Sequence, residues 1–333
     1  SKTNTRGQDY STARDRFQFA KRSIAESNNK YLFNINDYQI DDSPSKGSYG
    51  FSKFVTKKAN GNKHVTKTSY KECNPQHFFY ILRSMSNLIH IHHPAILPIE
   101  GFSYENFDGD NNITILMKYV QSGSLADLLE QNIQSQCPSN YDNTKRQIIL
   151  VGISHAMMHL HSKKVIHKNL KPSNILLDEN YKPLLTDFGL SKIFNPYNLR
   201  NEMDSNIRHL TYISPEMVKY NRYTEKSDVY SFGILMYEIV SGKHAYNENC
   251  NSSIFLKKVT NEKMRPKFDF PIKKEIQQMI EFCWSPNPKD RPTFQELFYK
   301  LALLEDDLLN EPKIIVEDDD FSFKKFCLEG VDE

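Results

Sequence analysis

Residues able to do chemistry crowd into one stretch of the chain. Ile166-His167-Lys168-Asn169-Leu170-Lys171-Pro172-Ser173-Asn174-Ile175-Leu176-Leu177 sets an imidazole, two amines, two amides and a hydroxyl between His167 and Asn174, then closes on an apolar run. Asp187-Phe188-Gly189 follows, with Asp187 thirteen positions beyond Asn174. An amide such as Asn169 can position a hydrogen-bonding partner, but it is not a useful base at neutral pH. Far upstream, Ser45-Lys46-Gly47-Ser48-Tyr49-Gly50-Phe51-Ser52 carries two glycines. Gly47 and Gly50 would let a backbone approach phosphates, although such a loop alone reads equally as a plain turn. His155 and His159 have HxxxH spacing, which would put two imidazoles on one helix face. No glutamate of the HExxH kind accompanies them, so they read as packed side chains rather than metal ligands. His90, His92 and His93 fall at a helix end and loop and are read the same way. Ser191, Tyr197, Ser205 and Thr211 are hydroxyls able to take a phosphate, which Lys168 and Arg208 could pair, or they are simply solvated.

The elements that must hold these residues change texture once. Strand-like runs fill the first part at Tyr38–Ile40, Phe51–Val55, His64–Thr68, Ile96–Phe102 and Ile113–Tyr119, with Asn60-Gly61 as a hairpin turn. One helical run, Gln76–Ile91, interrupts them, its Phe78, Ile81, Leu82, Met85, Leu88 and Ile89 at helical spacing. After Ser122-Gly123-Ser124 helices dominate: Leu125–Gln131, Thr144–Ser162, Lys226–Ser241, Ile272–Trp284 and Thr293–Leu304. Pro292 and Thr293 make a good start for the last of these. The pattern predicts a small strand-rich lobe followed by a larger helical one.

The 333 residues carry 43 Lys plus Arg against 41 Asp plus Glu, a net charge of +2. So balanced a chain has no overall pull toward nucleic acid or anionic membrane. No apolar run approaches the ~18 residues of a membrane span, and SKTNTRGQDY has no apolar signal core. Five scattered cysteines without a CxxC argue against a disulfide framework or zinc module, which fits a reducing, cytoplasmic setting. Residues 1–35 hold seven basic against three acidic residues and read as a flexible or loosely docked extension. Residues 311–333 hold eight acidic against three basic and read as a solvated tail, whose Phe321, Phe323 and Phe326 offer docking as the alternative.

Taken in order, the Ile166–Leu177 stretch, Asp187-Phe188-Gly189, Ser214-Pro215-Glu216, Ser227-Asp228-Val229-Tyr230-Ser231-Phe232-Gly233 and Arg291-Pro292-Thr293-Phe294 resemble the eukaryotic protein kinase domain. The resemblance runs from about Tyr38 to Leu304. It is nearest to the tyrosine-kinase-like group, most of whose members act on Ser and Thr, and Lys171, two residues after Asn169, is similar to the Ser/Thr-type catalytic loop. It implies a bilobal α+β fold: a domain over 36–310, with an antiparallel small lobe at about 36–120 and a helical lobe at about 121–310. It also implies ATP and Mg²⁺ as cofactors and proteins as substrates or partners. By resemblance Asp187 and Asn174 would hold Mg²⁺, whose taste for oxygen ligands they suit. Lys67 would clamp phosphates over the Gly47 and Gly50 backbone, Met117 would be the gatekeeper with Lys118, Tyr119 and Val120 as the hinge, and Leu176 would face the nucleotide. Glu216 and Arg291 match the family's buried ion pair, and Asp228 matches the aspartate that braces the catalytic loop.

Several chemical positions depart from that pattern. Asn169 stands where the family has the aspartate that orients the substrate hydroxyl and accepts its proton. Ser84 stands at the helix glutamate that normally holds the lysine, and no Asp or Glu occurs from Cys73 to Ile99. Ser45 replaces the first glycine of the phosphate loop, Ser52 its valine, Val65 a small alanine, and His209 a threonine that touches the catalytic loop. Losing a general base typically costs ~10²–10⁴ in rate. An aspartate deliberately changed to Asn169 would not explain Ser84 and Ser45. The sequence therefore predicts a catalytically impaired pseudokinase serving as a scaffold or allosteric partner. The alternative is a slow Ser/Thr kinase that works through Lys67, Lys171, Asn174 and Asp187.

Overall fold

A computed structural model describes residues 29–41, 45–46, 50–70, 72, 78–190, 194, 207–246 and 251–304. Gly47, the extension before residue 29 and the acidic tail lie outside them. The described residues divide into two compact units. The first holds the chain up to His92, Pro98–Tyr119, Leu190 and Phe194; the second holds His93–Leu97, Val120–Gly189 and the chain from Ile207 onward.

The first unit is an antiparallel sheet with one helix. Its strands are β1 (Tyr38–Ile40), β2 (Ser45–Lys46), β3 (Gly50–Lys57), β4 (Lys63–Ser69), β5 (Ile99–Ser103) and β6 (Thr114–Lys118). They run in the order β1-β3-β4-β6-β5, with β2 paired to β3. The Asn60-Gly61 turn forms as read: Gly61 at φ 72° donates its N–H to the Lys57 carbonyl at 2.8 Å. Gly50 is required by packing, because a Cβ there would lie 1.9 Å from the Thr68 carbonyl oxygen. Tyr38, Val55 and Leu116 form a buried cluster with Phe33 and Phe107 packed on it. Helix α1 (Phe78–Ile89) buries Ile81, Met85, Leu88 and Ile89, the apolar stripe expected of it.

One expectation changes here and another is narrowed. Ile96–Phe102 is not one strand. β5 begins at Ile99, after Pro98, whose missing N–H ends ladder pairing, and Ile96 instead bridges Leu185 in the second unit. Residues 29–35, expected in a flexible or loosely docked extension, are docked: Asn29–Tyr31 is a 3₁₀ turn, Leu32 bridges Phe102, and Phe33 N–H donates to the Phe102 carbonyl at 3.2 Å.

The second unit is helical, with α2 (Leu125–Ile133), α3 (Asn143–Ser162), α4 (Ile207–Leu210), α5 (Pro215–Tyr220), α6 (Glu225–Ser241), α7 (Ser252–Thr260), α8 (Lys274–Cys283) and α9 (Phe294–Ala302). A small hairpin, β7 (Ile175–Leu177) with β8 (Pro183–Leu185), lies between α3 and α4 in sequence. Helix α6 is buried all round from Ser227 to Val240, the mark of a helix at the centre of a core. Gly233 lets α8 approach it, since a Cβ there would meet Cys283 Cβ at 2.7 Å. Capping boxes start α2 (Ser124 with Asp127), α6 (Thr224 with Ser227) and α9 (Thr293 with Glu296). Among the described residues no helix is long and apolar enough to cross a membrane. A strand-rich unit and a helical unit together make the α+β class expected.

Candidate functional site

In the second unit the site is built from the start of α6. Asp228 is buried and gathers three donors: His167 N–H at 2.8 Å, Lys168 N–H at 2.9 Å and the His161 ring at 2.9 Å. A carboxylate holding two successive amides fixes the turn that Lys168 makes at φ 68°, a backbone state costly for a side-chain-bearing residue. His167 itself is fully enclosed, and burial pushes its pKa down against the pull of Asp228 and Asp187. Asn169, half-buried, donates its N–H to His167 Nδ1 at 3.4 Å.

The same loop is stapled to the segment carrying Asp187. Pro172 opens a 3₁₀ turn over Pro172–Asn174. The Asn174 side-chain N–H₂ donates to the Asn169 carbonyl at 2.7 Å, and Thr186 N–H donates to the Asn174 carbonyl at 3.0 Å. Thr186 Oγ1 then donates to Asp187 Oδ1 at 3.2 Å. Asp187 (φ 67°) and Gly189 (φ 68°) turn the chain away after β8. Asn169, Lys171, Asn174 and Asp187 are thus brought together within one unit, with Lys171 and Asn174 buried and Asp187 half-buried. Leu176 is half-buried in β7, opposite Leu184, and Val120 belongs to this unit too.

The donor set suits one cation type. With the Asn174 amide nitrogen used on Asn169, its oxygen and the Asp187 carboxylate are hard donors. No group of three or more His, Cys, Asp or Glu among the described residues could cage a metal. Mg²⁺ fits such a set, since it takes one or two protein oxygens and draws the rest from water and phosphate.

In the first unit β4 pairs Lys67 with Ser52 on β3 and Ile115 on β6, while Val65 pairs with Phe54 and Met117. Residues opposite one another, and those two apart, share a sheet face, so Gly50, Ser52, Lys67 and Met117 lie on one face. Ser84 is half-buried on α1, a helix without any carboxylate.

Sequence reasoning missed a second cluster in the helical unit. A pocket open to solvent, with a cavity volume of about 130 Å³, is lined by Leu129, Lys171, His209, Tyr212, Glu238 and His244, among others. Tyr212 O–H donates to Glu238 at 2.5 Å and Ala245 N–H donates to it at 3.0 Å. Burial outweighs both bonds and pushes Glu238 up to about 7. The available signal was a lone glutamate inside the apolar run Phe232–Val240. The scaffold pair forms as expected: Arg291 reaches both Glu216 oxygens, at 2.7 and 2.8 Å.

These features are those of a protein kinase, and sequence comparison agrees. Residues 46–301 match the protein tyrosine and serine/threonine kinase family, and the chain belongs to it. It is similar to a probable LIM domain-containing serine/threonine-protein kinase of Dictyostelium discoideum, 34% identical over 68% of this chain and 33% of that protein. It is also similar to the human receptor-interacting serine/threonine-protein kinase 3, 32% identical over 66% of this chain and 44% of that protein. A further probable Dictyostelium serine/threonine-protein kinase is 26% identical over 80% of this chain and 19% of its own length. The chain therefore spans less than half the length of these relatives.

Proposed function

We propose that this chain is a catalytically impaired kinase-fold protein, a pseudokinase that offers protein partners a scaffold or allosteric surface. The observation that carries the reading is Asn169. Its loop is braced by Asp228 and stapled by Asn174, as a working loop would need, yet the side chain there is an amide. An amide can orient a substrate hydroxyl but cannot take its proton at neutral pH. Ser84 on a helix without carboxylates removes the usual partner of the strand lysine, and His209 replaces the hydroxyl beside Lys171.

On this reading the domain runs over about 36–310, in a cytoplasmic setting. Asn174 and Asp187 would hold Mg²⁺. Lys67 and the Gly47–Gly50 backbone would meet phosphates, and Met117, Val120 and Leu176 would meet the base. Bound Mg²⁺ would supply charge neutralisation at the phosphates. The chain's own contribution is to hold Asn174 and Asp187 in register through Thr186, and to keep Lys171 buried beside them.

A second reading, a slow Ser/Thr kinase, is favoured by that intact staple and by the loose transition state of phosphoryl transfer, which relies mainly on positioning. Thermal unfolding with ATP, with and without Mg²⁺, tests the cofactor sites. Ligand at about 100 times Kd adds roughly 2.7 kcal/mol, and an Mg²⁺-dependent rise lost in Asp187→Asn is expected. A transfer assay on the same proteins then decides the activity. Little transfer by the wild type, with gain in Asn169→Asp, supports impairment through the missing base. Robust wild-type transfer that depends on Asp187 overturns it.

A further inference from the structure

Three imidazoles that no step above uses meet in the helical unit. His93 comes from the short His93–Leu97 segment, and His155 and His159 come from α3. The His93 and His155 ring centres are 4.3 Å apart, edge to face, and those of His93 and His159 are 5.3 Å apart. Phe298 of α9 stacks on His155 at 4.6 Å.

The hydrogen bonding of His93 defines its protonation. Ala95 N–H donates to His93 Nδ1 at 3.1 Å, so Nδ1 bears no proton and the neutral ring carries its proton on Nε2. That Nε2 is buried without a hydrogen-bonding partner, as is His155 Nδ1. A second proton on His93 can go only to Nδ1, where it would face the Ala95 N–H and break that bond.

The broken bond lies close to the site. The Ala95 carbonyl accepts from Leu185 N–H at 2.9 Å, and Leu97 N–H donates to the Leu185 carbonyl at 2.9 Å. Leu185 ends β8, and Thr186 and Asp187 follow it directly. The His93–Leu97 segment therefore acts as an extra strand edge that clamps the last residue of β8, two positions before Asp187.

The groups facing the cluster oppose charge. His155 and His159 act on His93, His159 acts on His155, and Lys163 at the end of α3 acts on His159. The uncharged Phe298 faces it from α9, and β8 contributes backbone. Burial first, and then these neighbours, hold His93 down to about 3 and His155 to about 4, with His159 also below its ordinary value.

We propose that His93 is a positioning residue for the Thr186–Asp187 segment, and that the His93–His155–His159 cluster makes this positioning a latch that acid releases. The neutral cluster keeps the Ala95 bond and so the clamp on Leu185. Because each imidazole regains its ordinary value near 6.5 once exposed, opening of the segment takes up protons and is favoured as the pH falls below 6.5. For one histidine, the open population should rise about tenfold between pH 7.4 and 5.5, and more if the other two are released with it.

Backbone hydrogen exchange of the full chain tests this without relying on nucleotide binding or on the role proposed for Asp187. Intrinsic-rate-corrected protection of the Leu97 and Leu185 amides should fall about tenfold or more between pH 7.4 and 5.5, while that of Leu235 in α6 stays level. His93→Asn keeps an acceptor for Ala95 N–H but cannot titrate, so it should retain protection at pH 7.4 and lose most of the pH dependence. Wild-type protection that is level with pH, or an unchanged slope in His93→Asn, overturns the proposal. So does a His93 ring that, followed by NMR in the wild type, titrates near 6.5 without loss of Leu185 protection.

Discussion

Changing Glu216 to glutamine removes one charge from a pair whose other member has nowhere to turn. The Arg291 side chain is 0% exposed and that of Glu216 is 11% exposed. Arg291 spends its donors on both Glu216 oxygens, on the Ser285 carbonyl at 2.9 Å and on the Lys226 carbonyl at 2.8 Å. In Glu216→Gln one of the two short contacts becomes N–H against N–H, and the guanidinium keeps only carbonyl dipoles as compensation. Breaking a buried pair from one side costs roughly 3–5 kcal/mol, because the remaining charge is left uncompensated. At ~2–4 °C per kcal/mol for a domain of this order of size, the melting point should fall by about 6–20 °C. A Glu216→Gln/Arg291→Met double variant removes both charges and should lose less than the single one. The pH dependence has a definite sign. Burial raises the Glu216 pKa, but Arg291, helped by a backbone hydrogen bond and Ser214, outweighs it, so the folded value lies below the ordinary 4.5. The stability this pair contributes is present above 4.5 and is lost as the pH falls through the folded value. Glu216→Gln should therefore flatten the acid limb of the stability profile. Urea unfolding followed by circular dichroism from pH 3 to 7 reads both effects. A loss below about 1 kcal/mol at pH 7, or an unchanged acid limb, would refute the argument.

Two further outcomes follow, one from a buried carboxyl and one from an exposed helix cap. Glu238, raised to about 7 by burial, contributes stability that is fully present below 4.5 and is lost as the pH rises through 7. Glu238→Gln should thus melt above the wild type at pH 8.5 and near it at pH 5, by at most about 3 kcal/mol, and equal profiles would contradict this. Thr293 caps α9 by accepting from Glu296 N–H at 3.2 Å while Glu296 accepts from Thr293 N–H at 2.7 Å. Thr293→Ala should cost about 1 kcal/mol in the urea midpoint and Thr293→Ser almost nothing.

Long periodic segments were legible from the chain alone. The helices α1, α2, α3, α6, α8 and α9 appear within a few residues of where the sequence puts them: α1, α8 and α9 carry a 3.6-residue apolar repeat, α2 and α9 a cap, and α3 and α6 long apolar runs, all properties of neighbours in sequence. The three-residue strands β7 and β8 and the four-residue α4 contain too few positions to show a period. Helix α7 has little apolar patterning; it buries only Phe255 and Val259. Pro98 was the missed sign that the Ile96–Phe102 run is broken.

At the site, residue identity came from the sequence and environment came from the fold. The amide at Asn169, the missing carboxylate of α1 and the oxygen pair Asn174 and Asp187 are statements about composition at a position, and no folding alters them. What only tertiary structure decided is which distant groups meet. Asp228 finds the His167 amide 61 residues away, and Arg291 finds Glu216 across 75. Glu238 and the three clustered histidines are ordinary residue types whose proton affinity depends on who surrounds them. Burial and contact are long-range properties, set when the helices pack and the chain excludes water, and no local spacing encodes them.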